Sequence, residues 1–545
     1  MRQYLLRTPC EKTCGGCPGV LIRRNPTEAS PQSAGNMSQL FSEIMSALEH
    51  AITASFAARE PDRPALSPLR ALGRRQMSGI EVLAQAIATT APAASMVILP
   101  ITMLTNETML SGLLTVVAAT VIVSMIAFCG SQFTRRFAAS GGLYTFAFQG
   151  VGSRGALTVG AAMLCKYCAS GAMTMYFGGH AVRTVLRETG LNAAGVLWTL
   201  LIYATIGLLM LACLLRGVRF AATAILVVEL CSLLFIVSLM MFPAPQVVQI
   251  EPSGASNGLL LVALGAMFAL AGFESATFFA PEAKRPLVAI TRTVLLTPVI
   301  CGALFTFAAW AVWSGRGGVL INAYLHGTST GIDAWLVVAL NVGLSCSWLA
   351  SSMASSNAAS RLVYTMGIER VLPRVFSQVH RSFRTPHVAL TVVIAGLATA
   401  SSIFAFIDGS VVFEDVKLLA RASIVLGYTV VAVAAVRFLQ RIGELTPAVI
   451  VSGVLGCAVG CATLTSLVVS VCREQNLTSL TVFTIFAGSG LAWHRYLRHR
   501  TPKVLDSIGV FDSAESNDVL PGAASYGKNS RGAVALVKLS RHDAR

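Results

Sequence analysis

Apolar runs separated by short polar or charged stretches recur from about Ile80 to Leu497. Each run approaches or exceeds about 20 residues, the length at which a helix crosses a hydrocarbon core of about 30 Å. The pattern predicts twelve spans, at 79–99, 109–131, 156–180, 193–214, 219–242, 257–280, 291–313, 334–357, 387–406, 418–438, 447–471 and 477–494. The fold class is therefore all-α and polytopic, with a membrane domain over residues 79–497. Residues 1–78 read as a basic, disordered N-terminal segment. Residues 498–545 read as a polar, Ser/Gly-rich, disordered tail.

Composition sharpens this reading. Residues of the apolar set make up 54% of the 545-residue chain and charged residues only 12%. A soluble domain carries about 25% charged residues, so a cytosolic, nuclear or secreted enzyme is excluded. The net charge of +16 raises nucleic acid as a partner, and the placement of that charge removes it. With both termini in the cytoplasm, 34 Lys and Arg residues fall on the inner side of the predicted spans and five on the outer side. That asymmetry sets the orientation and provides attraction to anionic lipid. The expected partners are the bilayer and a small solute, with no nucleic acid.

Most of the thirteen cysteines sit singly in apolar spans, where Cys acts as a small hydrophobe. Cys10, Cys14 and Cys17 have the Cys-x3-Cys-x2-Cys spacing of radical-SAM clusters, but no soluble barrel surrounds them. The segment carrying them reads instead as a disordered leader, or as a start assigned upstream of Met37 or Met77. It has no apolar stretch of signal-peptide length. No HExxH, Walker A or nucleophile elbow occurs in a suitable context, so no catalytic residue, metal or cofactor is expected. Trp310, Trp313, Trp493 and Tyr496 read as interfacial anchors. Asn106-Glu-Thr and Asn476-Leu-Thr fit the glycosylation pattern on the outer side.

The informative features of so apolar a bundle are interrupted helices and charges inside spans. Pro92 sits mid-way through the first span, flanked by Thr89, Thr90 and Ser95; it removes a backbone donor and clashes with the preceding turn. The sixth span carries Gly272, Glu274 and Ser275 near its middle. If the spans divide five plus five, these are corresponding first helices, and paired interruptions there point to a transporter's substrate site. Half-helix N-termini suit a carboxylate, and unwound carbonyls suit an ammonium group.

Three ordered motifs resemble the amino acid–polyamine–organocation permeases. They are Ser140-Gly-Gly-Leu-Tyr144, Phe268-Ala-Leu-Ala-Gly-Phe-Glu-Ser275 with Pro281-Glu-Ala-Lys-Arg-Pro286, and Asn357-Ala-Ala-Ser-Arg-Leu-Val-Tyr364 with Leu372-Pro-Arg and Thr385-Pro386. The resemblance implies a LeuT-type five-plus-five inverted repeat with two additional helices. It implies secondary transport of amino acids or related amines. By the family's pattern, Ala93, Ala94 and Ser95 occupy the break of the first helix, where the family's usual glycines are absent. Phe268 falls at the family's aromatic gate, and Ala271 and Gly272 fall in the unwound stretch. Glu274 matches an acidic residue implicated in proton coupling or gating, and a helix-end anchor is its other reading. Glu229 falls near the place where some members hold a lysine instead of a sodium ion.

Lys166, deep in the third span, is expected to pair with Glu229 or Glu274. Such a pair is structural, relays protons, or presents Lys166 to an acidic substrate. Lys417 and Arg421 read as a solvated rim rather than a site. Together these features predict a plasma-membrane amino acid permease that works by alternating access, driven by H+ or by exchange, with Na+ the other candidate ion. The alternatives are a polyamine or amine-metabolite exporter of the same fold and a non-transporting amino acid sensor.

Overall fold

Ser78 begins the first membrane helix with a capping box. Its backbone N–H donates to Glu81 Oε2 at 2.6 Å and its hydroxyl accepts from the Glu81 N–H at 3.4 Å, which satisfies donors that a helix start leaves open. The computed structural model describes residues 72, 76–106, 109–191, 195–242, 246–248, 250, 258–407, 411–473, 477–509, 525–528 and 534–537. Cys10, Cys14, Cys17 and Met37 lie outside the described residues. Eleven helices there are long and apolar enough to cross a membrane: Gly79–Thr105, Leu110–Thr134, Leu143–Glu188, Val196–Leu215, Val218–Met241, Gly258–Glu282, Pro286–Trp313, Ala334–Ile368, His387–Ile407, Val412–Ile442 and Pro447–Arg473. A twelfth helix, Leu477–Arg500, is less apolar because Thr, Ser and a basic end interrupt it. The chain is an all-α polytopic membrane protein.

Two spans run well past their predicted ends. The third begins at Leu143, just after Gly142 turns the chain at φ +58°, and bends at Gly152, where φ is +79°. The eighth continues from the predicted 357 to Ile368. Its extra turns are polar, but Ser356, Asn357, Ser360 and Arg361 are buried against protein instead of lipid. A hydropathy pattern stops at such residues; a helix whose polar side chains have partners does not. A further helix, Gly318–His326, occupies the connection between the seventh and eighth spans.

The first and sixth spans are broken. The first is two helices, Gly79–Thr89 and Pro92–Thr105, joined through Ala91 in the left-handed region at φ 45°, ψ 59°. A side chain there costs roughly 1–2 kcal/mol. Pro92 then takes the first helical position, where no N–H is required. The sixth span is an α-helix to Ala269 and, after Gly272, a 3-10 helix from Phe273 to Glu282.

Packing follows a five-plus-five order. The first span packs on the sixth, the second on the seventh, the third on the eighth and the fourth on the ninth. Crossed pairs also match: the second meets the sixth as the seventh meets the first, and the third meets the tenth as the eighth meets the fifth. An odd number of spans per half makes the second half run opposite to the first, so the repeat is inverted. The two remaining helices lie outside it, against the tenth, second and third spans.

A buried ion pair joins the end of the sixth span to the eighth. Arg361 donates to Glu282 through Nε at 3.0 Å and Nη2 at 2.9 Å, and its guanidinium lies 4.2 Å from the centre of the Phe279 ring. Asn357 Oδ1 accepts from Nη1 of the same arginine. The backbone N–H groups of Gln76 and Met77 both donate to the Glu282 carbonyl, tying the entrance of the first span to the exit of the sixth. The structured chain also passes the boundary at 497 read from hydropathy. Pro502–Leu505 is helical, and the Gly509 N–H donates to Glu369 Oε1 at 2.8 Å. Ser525–Lys528 pairs antiparallel with Val534–Val537.

Candidate functional site

The two interruptions meet in the middle of the bundle. Gly272 is what lets them approach: a Cβ on it would lie 2.5 Å from Thr90 Cγ2 and 2.6 Å from the Ala86 carbonyl. Hydrogen bonds then hold the unwound first span. Thr89 Oγ1 donates to Ser275 Oγ at 3.0 Å, Ser351 Oγ donates to the Thr89 carbonyl at 3.0 Å, and Ser95 Oγ donates to the Thr90 carbonyl at 2.8 Å. The carbonyls that lost their helical partners are thus paired by hydroxyls, as buried backbone requires.

Beside these breaks lies a cavity of about 290 Å³, near the lower end of the size range for small-molecule sites. Ala94, Ser95, Lys166, Phe268 and Ala271 line it. Ala93 and Gly272 do not: Gly272 is buried under Thr90, and the Ala93 N–H is already engaged. Glu229 and Glu274 both lie behind the wall.

Glu274 is the centre of a fully buried polar cluster. Its Oε1 accepts from Lys166 Nζ at 2.8 Å and from Tyr167 OH at 3.1 Å, and its Oε2 accepts from Tyr428 OH at 2.9 Å. Lys166 therefore pairs with Glu274 and not with Glu229. The ammonium also reaches the Ala271 carbonyl of the unwound sixth span at 3.4 Å. One lysine thus joins the cavity wall to a carboxylate that the cavity does not touch. The third, sixth and tenth spans all contribute to the cluster.

Glu229 occupies a different niche. Its Oε1 accepts from the Ala93 N–H at 3.4 Å and from Ser347 Oγ at 2.8 Å. Ser347 Oγ in turn accepts from the Ala94 N–H at 3.4 Å. The carboxylate sits at the N-terminus of the half-helix Pro92–Thr105, where the helix dipole favours an anion. Its Oε2 makes no hydrogen bond to a described residue.

Sequence reasoning missed several lining residues. Ser170, Phe177, Trp348 and Ser351 belong to the third and eighth spans and carry no signal that separates a lining position from a core one. Phe177 and Trp348 stack with ring centres 5.5 Å apart. Lys417 and Arg421, expected at a solvated rim, line the cavity as well. Their signal was present, since Arg421 lies inside the tenth span, where a charge is costly unless it faces the interior. Among the described residues, no group of three or more His, Cys, Asp or Glu is placed to hold a metal ion.

No family model matches the chain. An uncharacterised transporter of Rhizobium meliloti is 28% identical over 346 residues, covering 59% of this chain and 70% of that protein. The vacuolar cationic amino acid transporter 2 of Arabidopsis thaliana is 22% identical over 347 residues, covering 58% of this chain and 52% of its own. The low-affinity putrescine importer PlaP of Escherichia coli K12 is 28% identical over 141 residues, which are 24% of this chain and 29% of that one. Among solved structures, a nucleobase-cation-symport-1 family transporter aligns with 76% of this chain and 96% of its own at 14% identity, with a TM-score of 0.47. A Na+-coupled sialic acid symporter aligns with 75% and 93% at 13% identity, with a TM-score of 0.42.

The chain is a multi-pass membrane transporter and not an enzyme. Its relatives include members of the amino acid–polyamine–organocation superfamily, in agreement with the resemblance carried by its three motifs.

Proposed function

We propose that the chain is a secondary permease for amino acids or related amines, binding its substrate in the cavity beside the breaks of the first and sixth spans. The observation that carries this reading is the cavity itself, walled by both interruptions and by Lys166, whose ammonium is held by Glu274 at 2.8 Å. Ala94, Ser95, Phe268 and Ala271 contact the substrate, with Ala93 and Gly272 shaping the breaks from behind. The two half-bundles rock about the site to expose it alternately to each side. Lys166 and Glu274 couple the site to proton movement, and Glu229 gates the outer half of the first span. The membrane is the plasma membrane, with both termini cytoplasmic, as the basic asymmetry supports.

A polyamine or cationic amine fits less well. No Asp or Glu lines the cavity among the described residues, and a solute carrying two or more positive charges needs carboxylates to replace its water.

The test is uptake into proteoliposomes of a mixed radiolabelled amino acid pool, with an imposed pH gradient and with or without a counter-loaded pool. Accumulation driven by the gradient is expected, and flux only against internal substrate would make the protein an exchanger. Folded protein that moves nothing in either format would overturn the permease reading in favour of a sensor.

A further inference from the structure

The charge on the cavity wall is one-sided. Lys166, Lys417 and Arg421 line it, and no acidic residue does so among the described residues. Two of the three cations are already answered. Lys166 is held by the buried Glu274 at 2.8 Å and Lys417 by Glu414 at 2.6 Å. Arg421 makes no hydrogen bond or salt bridge to a described residue, although it is half-buried; Glu414, already bound to Lys417, acts on it only at longer range.

Its depth makes this unusual. Arg421 stands nine residues after Val412, where the apolar tenth span begins, which is roughly 14 Å along a helix at 1.5 Å per residue. That places it in the first half of the 31-residue tenth span, one helical turn beyond Lys417. A guanidinium inside an apolar span is costly to keep without an anion. Its planar fork is matched to a carboxylate by two parallel hydrogen bonds.

The other anion receptor beside the cavity is occupied by the protein itself. The first N–H groups of the half-helix Pro92–Thr105 are taken by Glu229 and Ser347, at 3.4 Å from Ala93 and Ala94 respectively. A substrate carboxylate entering the cavity therefore meets a filled helix terminus on one side and an arginine without a hydrogen-bonded carboxylate on the other.

We propose that Arg421 is the carboxylate receptor of this cavity and that the transported solute is a net anion, an acidic amino acid or another small carboxylate. The proposal rests on the permease reading and names its substrate class. In the empty site Arg421 is the one cation of the wall without a hydrogen-bonded carboxylate among the described residues. Binding a monoanion neutralises its charge, whereas lysine or putrescine would add to it. The Phe177–Trp348 pair and the Ala94, Ala269 and Ala271 side chains offer the remaining wall to the carbon skeleton.

The experiment is uptake of radiolabelled glutamate by the full chain in proteoliposomes, challenged with excess unlabelled aspartate, glutamine, succinate, lysine or putrescine, with radiolabelled lysine, putrescine and alanine measured in parallel. Uptake is expected to be blocked by aspartate and not by lysine or putrescine. Block by succinate as well would support the anion class without a need for the amino group; block by aspartate alone would narrow the class to acidic amino acids. Arg421→Gln should raise the half-saturating glutamate concentration by about 30-fold or more, the loss expected when one partner of a desolvated charge pair is removed. It should also let glutamine compete as well as glutamate, a change of ratio that the amount of folded protein does not affect. Arg421→Lys, which keeps the charge and loses the fork, should fall between. Transport of lysine, putrescine or neutral amino acids that anions do not inhibit would overturn the proposal and leave the permease reading standing. Unchanged discrimination between glutamate and glutamine in Arg421→Gln would overturn it too. Absence of flux for every labelled solute would overturn both.

Discussion

Lys166 faces two demands at once. Its ammonium must be paired, because it is fully buried, and it must remain at the cavity wall. Glu274 meets the first demand, and Tyr167 and Tyr428 hold Glu274 in place from two other directions. Breaking one side of such a pair leaves a buried charge uncompensated, which costs about 3–5 kcal/mol. Lys166→Met should therefore destabilise the protein by about that amount, while the double variant Lys166→Met with Glu274→Gln should recover part of the loss, because neither charge remains. Thermal unfolding in detergent of the wild type, both single variants and the double measures the coupling. Strict additivity of the two losses would mean that the pair does not act as a unit. If Lys166→Met instead leaves uptake, affinity and pH dependence unchanged, its coupling role is excluded and only the structural one remains. This pairing was half legible in the sequence: a lysine and two glutamates buried in spans had to find partners, but which glutamate lay within reach depends on how three separate helices cross.

At the scale of the element, the two interruptions were readable for different reasons. Pro92 is a chemical signal, since no proline continues a helix without losing a bond. Gly272 is a signal of approach, and what it approaches cannot be read from one chain position at a time. The structure supplies that answer in Thr90 and the Ala86 carbonyl. Gly272→Ala should drive the first and sixth spans apart, at a cost of about 1–3 kcal/mol for an overpacked interior, and should lower uptake. Adding Thr90→Ser removes the methyl group at 2.5 Å but leaves the Ala86 carbonyl at 2.6 Å, so partial rescue is the expected result. Full rescue would show that the backbone gives way, and no effect of the alanine alone would show that the approach is loose. The ends of the third and eighth spans were misread because hydropathy measures contact with lipid. Ser356, Ser360 and Arg361 are helical where their surroundings are protein.

The order of spans was the most legible property of the whole molecule, since length, apolarity and the distribution of Lys and Arg are each one-dimensional. The cavity was less so. All six residues assigned to the site are small or apolar, and only the assembled bundle separates those facing the cavity, such as Ala94, from those behind it, such as Ala93. Lys417 and Arg421 were placed at a rim because their neighbours in sequence, Glu414 and Asp415, are acidic. In space Glu414 engages Lys417 and leaves Arg421 facing inward.

The matched packing of the two halves has a consequence for how such a chain can be made. Each of the first four spans lies against its own counterpart, and the crossed contacts recur in both directions. This is the contact pattern of an isologous interface, in which one surface is complementary to a second copy of itself. The covalent link between the halves, from Met241 to Gly258, is then a tether between two bodies that already fit. Cutting the gene there and co-expressing the fragments should yield a one-to-one complex that survives purification in mild detergent and binds the same solute. Each fragment alone should aggregate, with its share of the shared surface facing lipid. Isolation of either fragment as a stable, folded monomer would mean that the fit between the halves contributes little to holding the bundle together.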